Sequence, residues 1–272
     1  MSPVSTRLGL SRIKLNSNHI LKKSRQGIRL ARLGANLLGG GILIQSYYQF
    51  PGISKIRQKQ LTDYKSFLMW VDDLSQSMNV ELHTYGEQMS ESGLLVSNHI
   101  SWLDTIVLTK ARALGFVARH DLAEWPFLGT FTQRMGSVFI NRNNKFQAYR
   151  SIPALEERLN QGRSVHIFPE STTSVGASVL AFFPMFYEAA VRTGKPVQPV
   201  AIRYTDGSGN LLKEPAYINN DTFFDTLGRI LLVDRVHTHL HFLTPIDSRN
   251  HDRKALARLS RQMIRDSLVQ HA

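Results

Sequence analysis

The sequence predicts an α/β fold, with a mostly parallel central sheet flanked by helices and a helical arm at the amino terminus. From Gly93 onward, short apolar runs alternate with helix-like segments, and polar clusters directly follow several of the runs. This alternation is typical of βαβ units in a largely parallel sheet. A third observation, an uneven distribution of charge along the chain, predicts that the arm is separate from the main domain.

The arm is defined by its charge. The chain carries a formal net charge of +12, yet its first acidic residue is Asp63. Residues 1–62 contain eleven Lys and Arg residues, so the rest of the chain, with 22 basic and 21 acidic residues, is nearly neutral. A basic arm suits a polyanionic surface, either anionic lipid or nucleic acid.

An apolar segment within the arm favours lipid over nucleic acid. Residues 30–50, LARLGANLLGGGILIQSYYQF, are apolar and glycine-rich, and they include Tyr47 and Tyr48. A membrane-spanning helix needs about 20 mostly apolar residues, and polar residues with a triple glycine interrupt this one. We therefore expect an interfacial or re-entrant segment with the tyrosines at headgroup depth. A helix packed on the protein's own core and an organelle presequence are the alternatives.

These observations divide the chain into two parts. Residues 1–60 are predicted to form a basic arm that attaches to an anionic membrane surface, and residues 61–272 to form the main domain. Nucleic-acid binding is not expected, because the excess positive charge is confined to the arm.

The elements of the main domain follow from periodicity. Residues 61–78 place apolar side chains at three- and four-residue steps, which predicts an amphipathic helix. Strands are predicted at residues 93–98, 115–118, 137–140, 164–168, 197–204 and 236–243. Further helices are predicted at Leu103–Ala113, Lys145–Asn160, Phe182–Thr193 and Arg249–Val269.

The stretch LLVSNHISWLDT, residues 94–105, places two candidate catalytic residues just past a buried strand. His99 lies in the loop after the strand, and Asp104 lies in the first turn of the helix that follows. In parallel sheets, functional groups gather beyond the carboxyl ends of the strands. The carboxylate of Asp104 could reach one imidazole nitrogen and fix the tautomer, which leaves the other nitrogen to take a proton. Without further signals, a loop histidine and a helix-capping aspartate would explain the same pattern.

Other polar clusters end neighbouring strands. Arg119 follows the strand predicted at residues 115–118, and Arg142 follows SVFI. Glu170, Ser171, Thr172 and Thr173 follow SVHIF. Because the carboxyl ends of parallel strands share one edge, these side chains are expected to converge with His99.

With these blocks in order, the sequence resembles the HxxxxD glycerolipid acyltransferases, typified by bacterial 1-acylglycerol-3-phosphate acyltransferases. The blocks are NHISWLD, WPFLGTFTQRMGSVFINR, FPESTTS and VQPVAI, and together they span about residues 93–204. The resemblance implies the glycerolipid acyltransferase fold. It also implies membrane association at the cytoplasmic face of a bacterial inner membrane.

The resemblance implies transfer of a fatty acyl group from acyl-CoA or acyl-carrier protein to a lysolipid hydroxyl, without a further cofactor. The implied acceptor is 1-acyl-sn-glycerol-3-phosphate, giving phosphatidic acid. His99 is then the general base and Asp104 its orienting partner. The implied acceptor-binding residues are Arg119, Arg142, Glu170, Ser171, Thr172 and Thr173.

One block departs from the family pattern. The common form is FPEGTRS, and here Ser171 and Thr173 replace its glycine and arginine. The loss of a guanidinium weakens the case for a phosphate-bearing acceptor, and the TTS form is similar to that of lyso-ornithine lipid acyltransferases. The alternatives are therefore a lyso-ornithine or other lysophospholipid acyltransferase and, in another class, an inactive membrane-binding protein.

A second histidine pattern lies outside these blocks. In VHTHLH, residues His237, His239 and His241 are predicted to share one face of a strand. No accompanying acidic ligand is evident at a recognisable spacing, so we interpret this pattern as a polar strand face and expect no metal site.

Overall fold

The computed structural model describes residues 24–40, 59–112, 115–119, 137–140 and 145–271 of the chain. These residues build seven strands in one sheet, in the order β1-β7-β6-β2-β5-β3-β4. The strands are β1 Val80–Tyr85, β2 Leu94–Ser97, β3 Gly115–Arg119, β4 Val138–Ile140, β5 Val165–Ile167, β6 Val197–Thr205 and β7 Val236–Phe242.

The direction of the strands confirms the predicted mostly parallel sheet. From β6 to β4, five neighbouring strands run parallel to one another. At the other side, β7 pairs antiparallel with β6, and β1 pairs parallel with β7. The loops after β6, β2, β5, β3 and β4 therefore leave the sheet at one common edge.

Helices cover both faces of the sheet. The helices are α1 at residues 24–40, α2 Lys59–Ser77, α3 Leu103–Ala111, α4 Lys145–Arg150, α5 Ile152–Asn160, α6 Glu188–Thr193, α7 Phe223–Leu232 and α8 Arg253–Gln270. On one face, side chains of α1, α2, α3 and α7 pack with Leu95, Ile202 and Leu240 of the sheet. On the other face, α5, α6 and α8 pack with Leu94, Val96 and Val165. The structure is thus three-layered, and most of its strands are buried on both faces.

The structure corrects several predicted elements. The single helix predicted at Lys145–Asn160 is two helices that meet at Ser151, because Pro153 lacks an N–H and its ring would clash with the preceding turn. Within the helix predicted at Phe182–Thr193, residues before Met185 are non-helical and Met185–Tyr187 form a 3₁₀ turn. Two elements of the structure, β1 and α7, are not predicted from the sequence.

The arm contributes α1, which packs against the main domain. Leu33 is buried in the same core as α2 and α3, and Trp70 Nε1 donates a 2.9 Å hydrogen bond to the carbonyl of Asn36. At the other end, Arg29 donates to the carbonyl of Leu231 in the last turn of α7 and to those of Val233 and Asp234 just after it. Tyr47 and Tyr48 lie outside the described residues, and none of the described helices has the length and apolarity needed to span a bilayer.

Candidate active site

The common edge of the sheet holds the loop that follows β2. Asn98 is fully buried and fixes this loop to β6, since its amide donates to the carbonyl of Ile202 at 2.9 Å and accepts from the same residue's N–H at 2.8 Å. The side-chain amide thereby extends the hydrogen bonding of the sheet past the end of β2. The backbone just before His99 is therefore fixed in position.

Asp104 accepts hydrogen bonds through both carboxylate oxygens. It lies in the first turn of α3, where negative charge is favourable, and it is fully buried. Its Oδ2 accepts from the backbone N–H groups of Ile100 at 2.7 Å and Ser101 at 3.0 Å. The same oxygen lies 2.7 Å from Nδ1 of His99, as the five-residue spacing predicted. An ionised carboxylate can only accept, so this contact places the proton of the imidazole on Nδ1.

The imidazole of His99 is held from two directions. Asp104 holds its Nδ1, and the ring of Phe168, which follows β5, stacks on it with centroids 3.8 Å apart. The His99 side chain is 16% exposed, whereas Asp104 has no exposed surface. Nε2 is therefore the nitrogen left to accept a proton from a molecule that enters from the edge of the sheet.

Tyr204 completes the surroundings of Asp104. Its hydroxyl donates a 2.7 Å hydrogen bond to Oδ1 of Asp104 from the carboxyl-terminal part of β6. Burial and the charge of Asp104 raise the pKa of Tyr204 well above its usual value, so the phenol stays protonated and acts as the donor. Tyr204 is not predicted as a site residue from the sequence, although a tyrosine on a buried strand needs a hydrogen-bond partner.

Glu170 lies in the turn after β5 and is buried, with 2% of its surface exposed. Its Oε1 accepts from the N–H of Leu180 at 3.1 Å. Burial raises the pKa of Glu170 to about 7; the backbone N–H groups of Leu180 and His99 oppose the shift, and the charge of Asp104 adds to it. Glu170 thus forms a buried part of this candidate site.

The rest of this loop packs against the loop that carries His99. The N–H of Ser174 donates to the carbonyl of His99 at 2.9 Å. Gly176 has a φ of +77°, and a Cβ at this position would lie 2.7 Å from Cδ1 of Ile100. Only glycine combines this backbone conformation with so close an approach. The two loops are therefore fixed relative to each other.

The three hydroxyl residues of the FPESTTS block lie at different depths. Ser171 and Thr172 are exposed, and Ser171 has a φ of +58°, within the range where glycine is favoured. Thr173 is half-buried, and its hydroxyl donates to the carbonyl of Tyr217. Thr173 therefore links the loop after β5 to the segment between β6 and α7.

Of the two predicted acceptor-binding arginines, Arg119 and Arg142, the structure describes only the backbone of Arg119. The backbone of Arg119 ends β3, two strands from β2 and thus about 10 Å away across the sheet. Its side chain, and the whole of Arg142, lie outside the described residues. Arg142 comes two positions after Ile140, the last residue of β4, which is three strands from β2.

The structure thus brings His99, from the loop after β2, and Asp104, from the first turn of α3, together with four residues of the loop after β5: Glu170, Ser171, Thr172 and Thr173. Asn98, Phe168 and Tyr204, which hold His99 and Asp104 in position, are not predicted as site residues from the sequence. The arrangement supplies an oriented proton acceptor.

Comparisons with known proteins point to one family. A family model described as Acyltransferase matches residues 77–203. A lyso-ornithine lipid O-acyltransferase of Pseudomonas aeruginosa is 32% identical over 252 residues, which cover 92% of this chain and 93% of that protein. A 1-acyl-sn-glycerol-3-phosphate acyltransferase of Neisseria meningitidis is 34% identical over 165 residues, covering 60% of this chain and 64% of the relative.

A solved structure has a similar fold. The crystal structure of the 1-acyl-sn-glycerophosphate acyltransferase from Thermotoga maritima superposes with a TM-score of 0.68, at 19% identity, over 90% of this chain and 97% of that chain.

Proposed function

The chain belongs to the glycerolipid acyltransferase family, and from this premise we propose that His99 and Asp104 carry out acyl transfer to the free hydroxyl of a lysolipid. The protein is a lysolipid O-acyltransferase, as its relatives indicate. The observation that supports the assignment of residues is the 2.7 Å contact between Nδ1 of His99 and the buried carboxylate of Asp104.

The proposed reaction needs no nucleophile from the protein. Nε2 of His99 takes the proton of the acceptor hydroxyl while the hydroxyl oxygen attacks the carbonyl carbon of an acyl thioester. The new ester bond forms, the bond between that carbon and sulfur breaks, and the proton passes from Nε2 to the departing thiolate. Asp104 keeps the proton on Nδ1 and stabilises the imidazolium that forms during the transfer.

The acyl donor is proposed to be acyl-CoA or acyl-carrier protein, and the assay follows from this. Release of free CoA thiol is measured with acyl-CoA in the presence and absence of a lysolipid. Acceptor-dependent release is expected. Thiol release at the same rate without an acceptor would indicate a thioesterase and contradict the proposal.

Two acceptor classes are candidates, 1-acyl-sn-glycerol-3-phosphate and lyso-ornithine lipid. Thr173 supports the second, because a hydroxyl bonded to the carbonyl of Tyr217 offers a phosphate neither permanent charge nor forked donors. If a phosphate is bound, Arg119 and Arg142 are the proposed ligands. Arg119 ends a strand that is closer to β2 in the sheet than β4, the strand that precedes Arg142.

A substitution at Thr173 separates the two acceptors. Thr173→Arg is expected to shift the ratio of kcat/KM values toward the phosphate-bearing acceptor by about tenfold or more, because a charge-assisted hydrogen bond contributes about 1.5–3 kcal/mol. Thr173→Val is the matched control, since it removes the hydrogen bond to Tyr217 without adding charge. An equal ratio in all three proteins would show that this position does not select the headgroup.

The protein is also proposed to attach to an anionic membrane surface, at the cytoplasmic face of a bacterial inner membrane, through residues 1–60, with residues 61–272 as the acyltransferase domain. Supporting this, large apolar side chains are exposed on adjoining helices: Ile28 and Leu38 on α1, Met69 on α2 and Phe224 on α7.

Vesicle flotation tests the attachment. The double variant Ile28→Ser, Leu38→Ser is expected to bind anionic vesicles more weakly than the wild type. Val269→Ser, which alters an equally exposed apolar residue on α8, is the control and should bind normally. Unchanged binding by the double variant would contradict the proposal that α1 contacts the membrane.

A further inference from the structure

A cluster of histidines lies on the β1 and β7 part of the sheet. The pairing of the two strands sets three residues of β1 directly opposite three of β7. The pairs on this face are Glu81 with His237, His83 with His239, and Tyr85 with His241. The alternate residues of β7, such as Leu240, face the core shared with α2 and α3, so the histidines point to the opposite face.

The rings of these residues form a continuous column. In order, the column contains His237, His83, His239, Tyr85, His241 and His271. His271 is the residue that follows α8. Successive ring centroids are 5.6, 5.0, 6.0, 4.5 and 4.3 Å apart, and all neighbours are stacked. A cavity of about 870 Å³ lies along the inner part of the column, so small solutes can approach this face.

The outer end of the column has the spacing of metal ligands. Nε2 of His83 lies 3.3 Å from Nδ1 of His237, and Glu81 places one carboxylate oxygen 3.6 Å from the first nitrogen and the other 3.9 Å from the second. Donors bound to a tetrahedral Zn²⁺ at about 2.0–2.1 Å lie about 3.3–3.5 Å from one another. One ligand atom from each of the three residues can be chosen so that all lie within 4.8 Å of one another.

We propose that Glu81, His83 and His237 bind a divalent late first-row transition metal ion, of which Zn²⁺ is the representative. Two imidazoles and a carboxylate suit Zn²⁺, Ni²⁺, Co²⁺ or Cu²⁺, whereas Mg²⁺ and Ca²⁺ prefer sites composed of oxygen. Three protein ligands leave the fourth tetrahedral position for water.

A neighbouring cation fixes the carboxylate. Nη1 of Arg235 lies 2.6 Å from Oε2 of Glu81, which leaves Oε1 facing His83. Residues that orient a ligand in this way tune the affinity of metal sites. Because Glu81 and His83 belong to β1 and His237 belongs to β7, a bound ion joins the edge strand β1 to its only described neighbour in the sheet. Bound metal is therefore expected to stabilise the fold.

Metal binding is measured on the full-length chain without an affinity tag, purified in detergent and freed of metal. Zn²⁺ is titrated by calorimetry, and Co²⁺ is used as a spectroscopic probe of four-coordinate geometry. We expect one ion per chain at this site and a higher thermal unfolding temperature when Zn²⁺ is present. Glu81→Gln and His237→Ala should each weaken Zn²⁺ affinity by at least about tenfold, since even the loss of an outer partner costs about 10–100-fold.

His251→Ala is the matched control, because it removes one histidine that is not part of the column and whose Nδ1 contacts the carbonyl of Asp247. This variant should keep the affinity and the thermal shift of the wild type. Glu81→Gln preserves the size of the side chain, so a folding defect in His237→Ala would leave the test intact. Absence of Zn²⁺ binding in the wild type, or equal affinity in wild type and Glu81→Gln, would overturn the proposal and leave a hydrogen-bonded histidine pair.

Discussion

We expect Asp104→Asn to slow acyl transfer by about two orders of magnitude while His99 keeps its proton on Nδ1. The orientation of the new amide follows from the backbone. Two N–H groups, of Ile100 and Ser101, point at the position of Oδ2, so the amide oxygen must lie there. The same oxygen then still accepts from Nδ1 of His99, and the amide NH₂ group faces the hydroxyl of Tyr204.

The loss of charge sets the magnitude. Nδ1 and Oδ2 are 2.7 Å apart, and at an effective dielectric constant of about 20, unit charges at that separation attract by about 6 kcal/mol. If about half of the proton has moved to His99 in the transition state, the substitution forfeits about 3 kcal/mol, or about 150-fold in rate. A substitution that reversed the tautomer would cost more, about 10⁴-fold as measured in a serine protease triad.

The assay is steady-state release of CoA thiol, combined with NMR of the imidazole nitrogens to determine the tautomer. Tyr204→Phe is the control, because it removes a neutral donor from Oδ1 and leaves the charge of Asp104 in place; its rate should fall by less than about tenfold. A rate for Asp104→Asn within about threefold of wild type would refute the role of the charge. A proton found on Nε2 would refute the predicted orientation of the amide.

Three further predictions follow from the site. His99→Ala should lower kcat by about 10²–10⁴-fold in the thiol-release assay while the protein still unfolds cooperatively, and near-normal turnover would exclude His99 as the general base. The pKa of Glu170 rises from 4.5 to about 7 on folding, so the folded state holds the extra proton between these values and wild-type stability falls as pH rises through that range. Glu170→Gln should remove this loss of unfolding free energy, which is up to about 3 kcal/mol. The measurement is denaturant titration at several pH values from about 5 to about 8, and identical pH dependence of stability in both proteins would contradict the burial argument. Gly176→Ala should destabilise the protein by at least about 1–2 kcal/mol, because alanine is strained at a φ of +77° and its Cβ would meet Ile100, and an unchanged midpoint of unfolding would contradict this reasoning.

The predictable part of the site is the part that is local in sequence. His99 and Asp104 are five residues apart, and the strand before them and the helix after them both show clear periodicity, so their contact could be predicted. The hydrogen bond from Tyr204 could not, because it joins residues 100 positions apart. The bond between Thr173 and Tyr217 joins two loops that have no periodicity.

Two errors in the predicted elements have simple physical causes. In β1, Glu81 and His83 alternate with Val80 and Leu82, and these polar residues obscure the strand in the sequence because their face of the sheet is only partly buried. At Lys145–Asn160 the apolar periodicity extends across Pro153 and predicts one continuous helix, but the proline breaks the hydrogen bonding without breaking the pattern.

The position of β5 has a consequence for synthesis of the chain. This strand lies between β2 and β3 in the sheet, although it follows β4 in the sequence. Chains that have emerged only as far as residue 160 contain His99, Asp104 and Arg119, but β2 and β3 lack the strand that joins them. At this stage β3 can pair with β4, but β2 has neither of its native neighbours, β5 and β6, and premature contact between β2 and β3 is a misfolding route. Assembly of the candidate active site must therefore wait for β5 and β6, the fifth and sixth of the seven described strands to be synthesised.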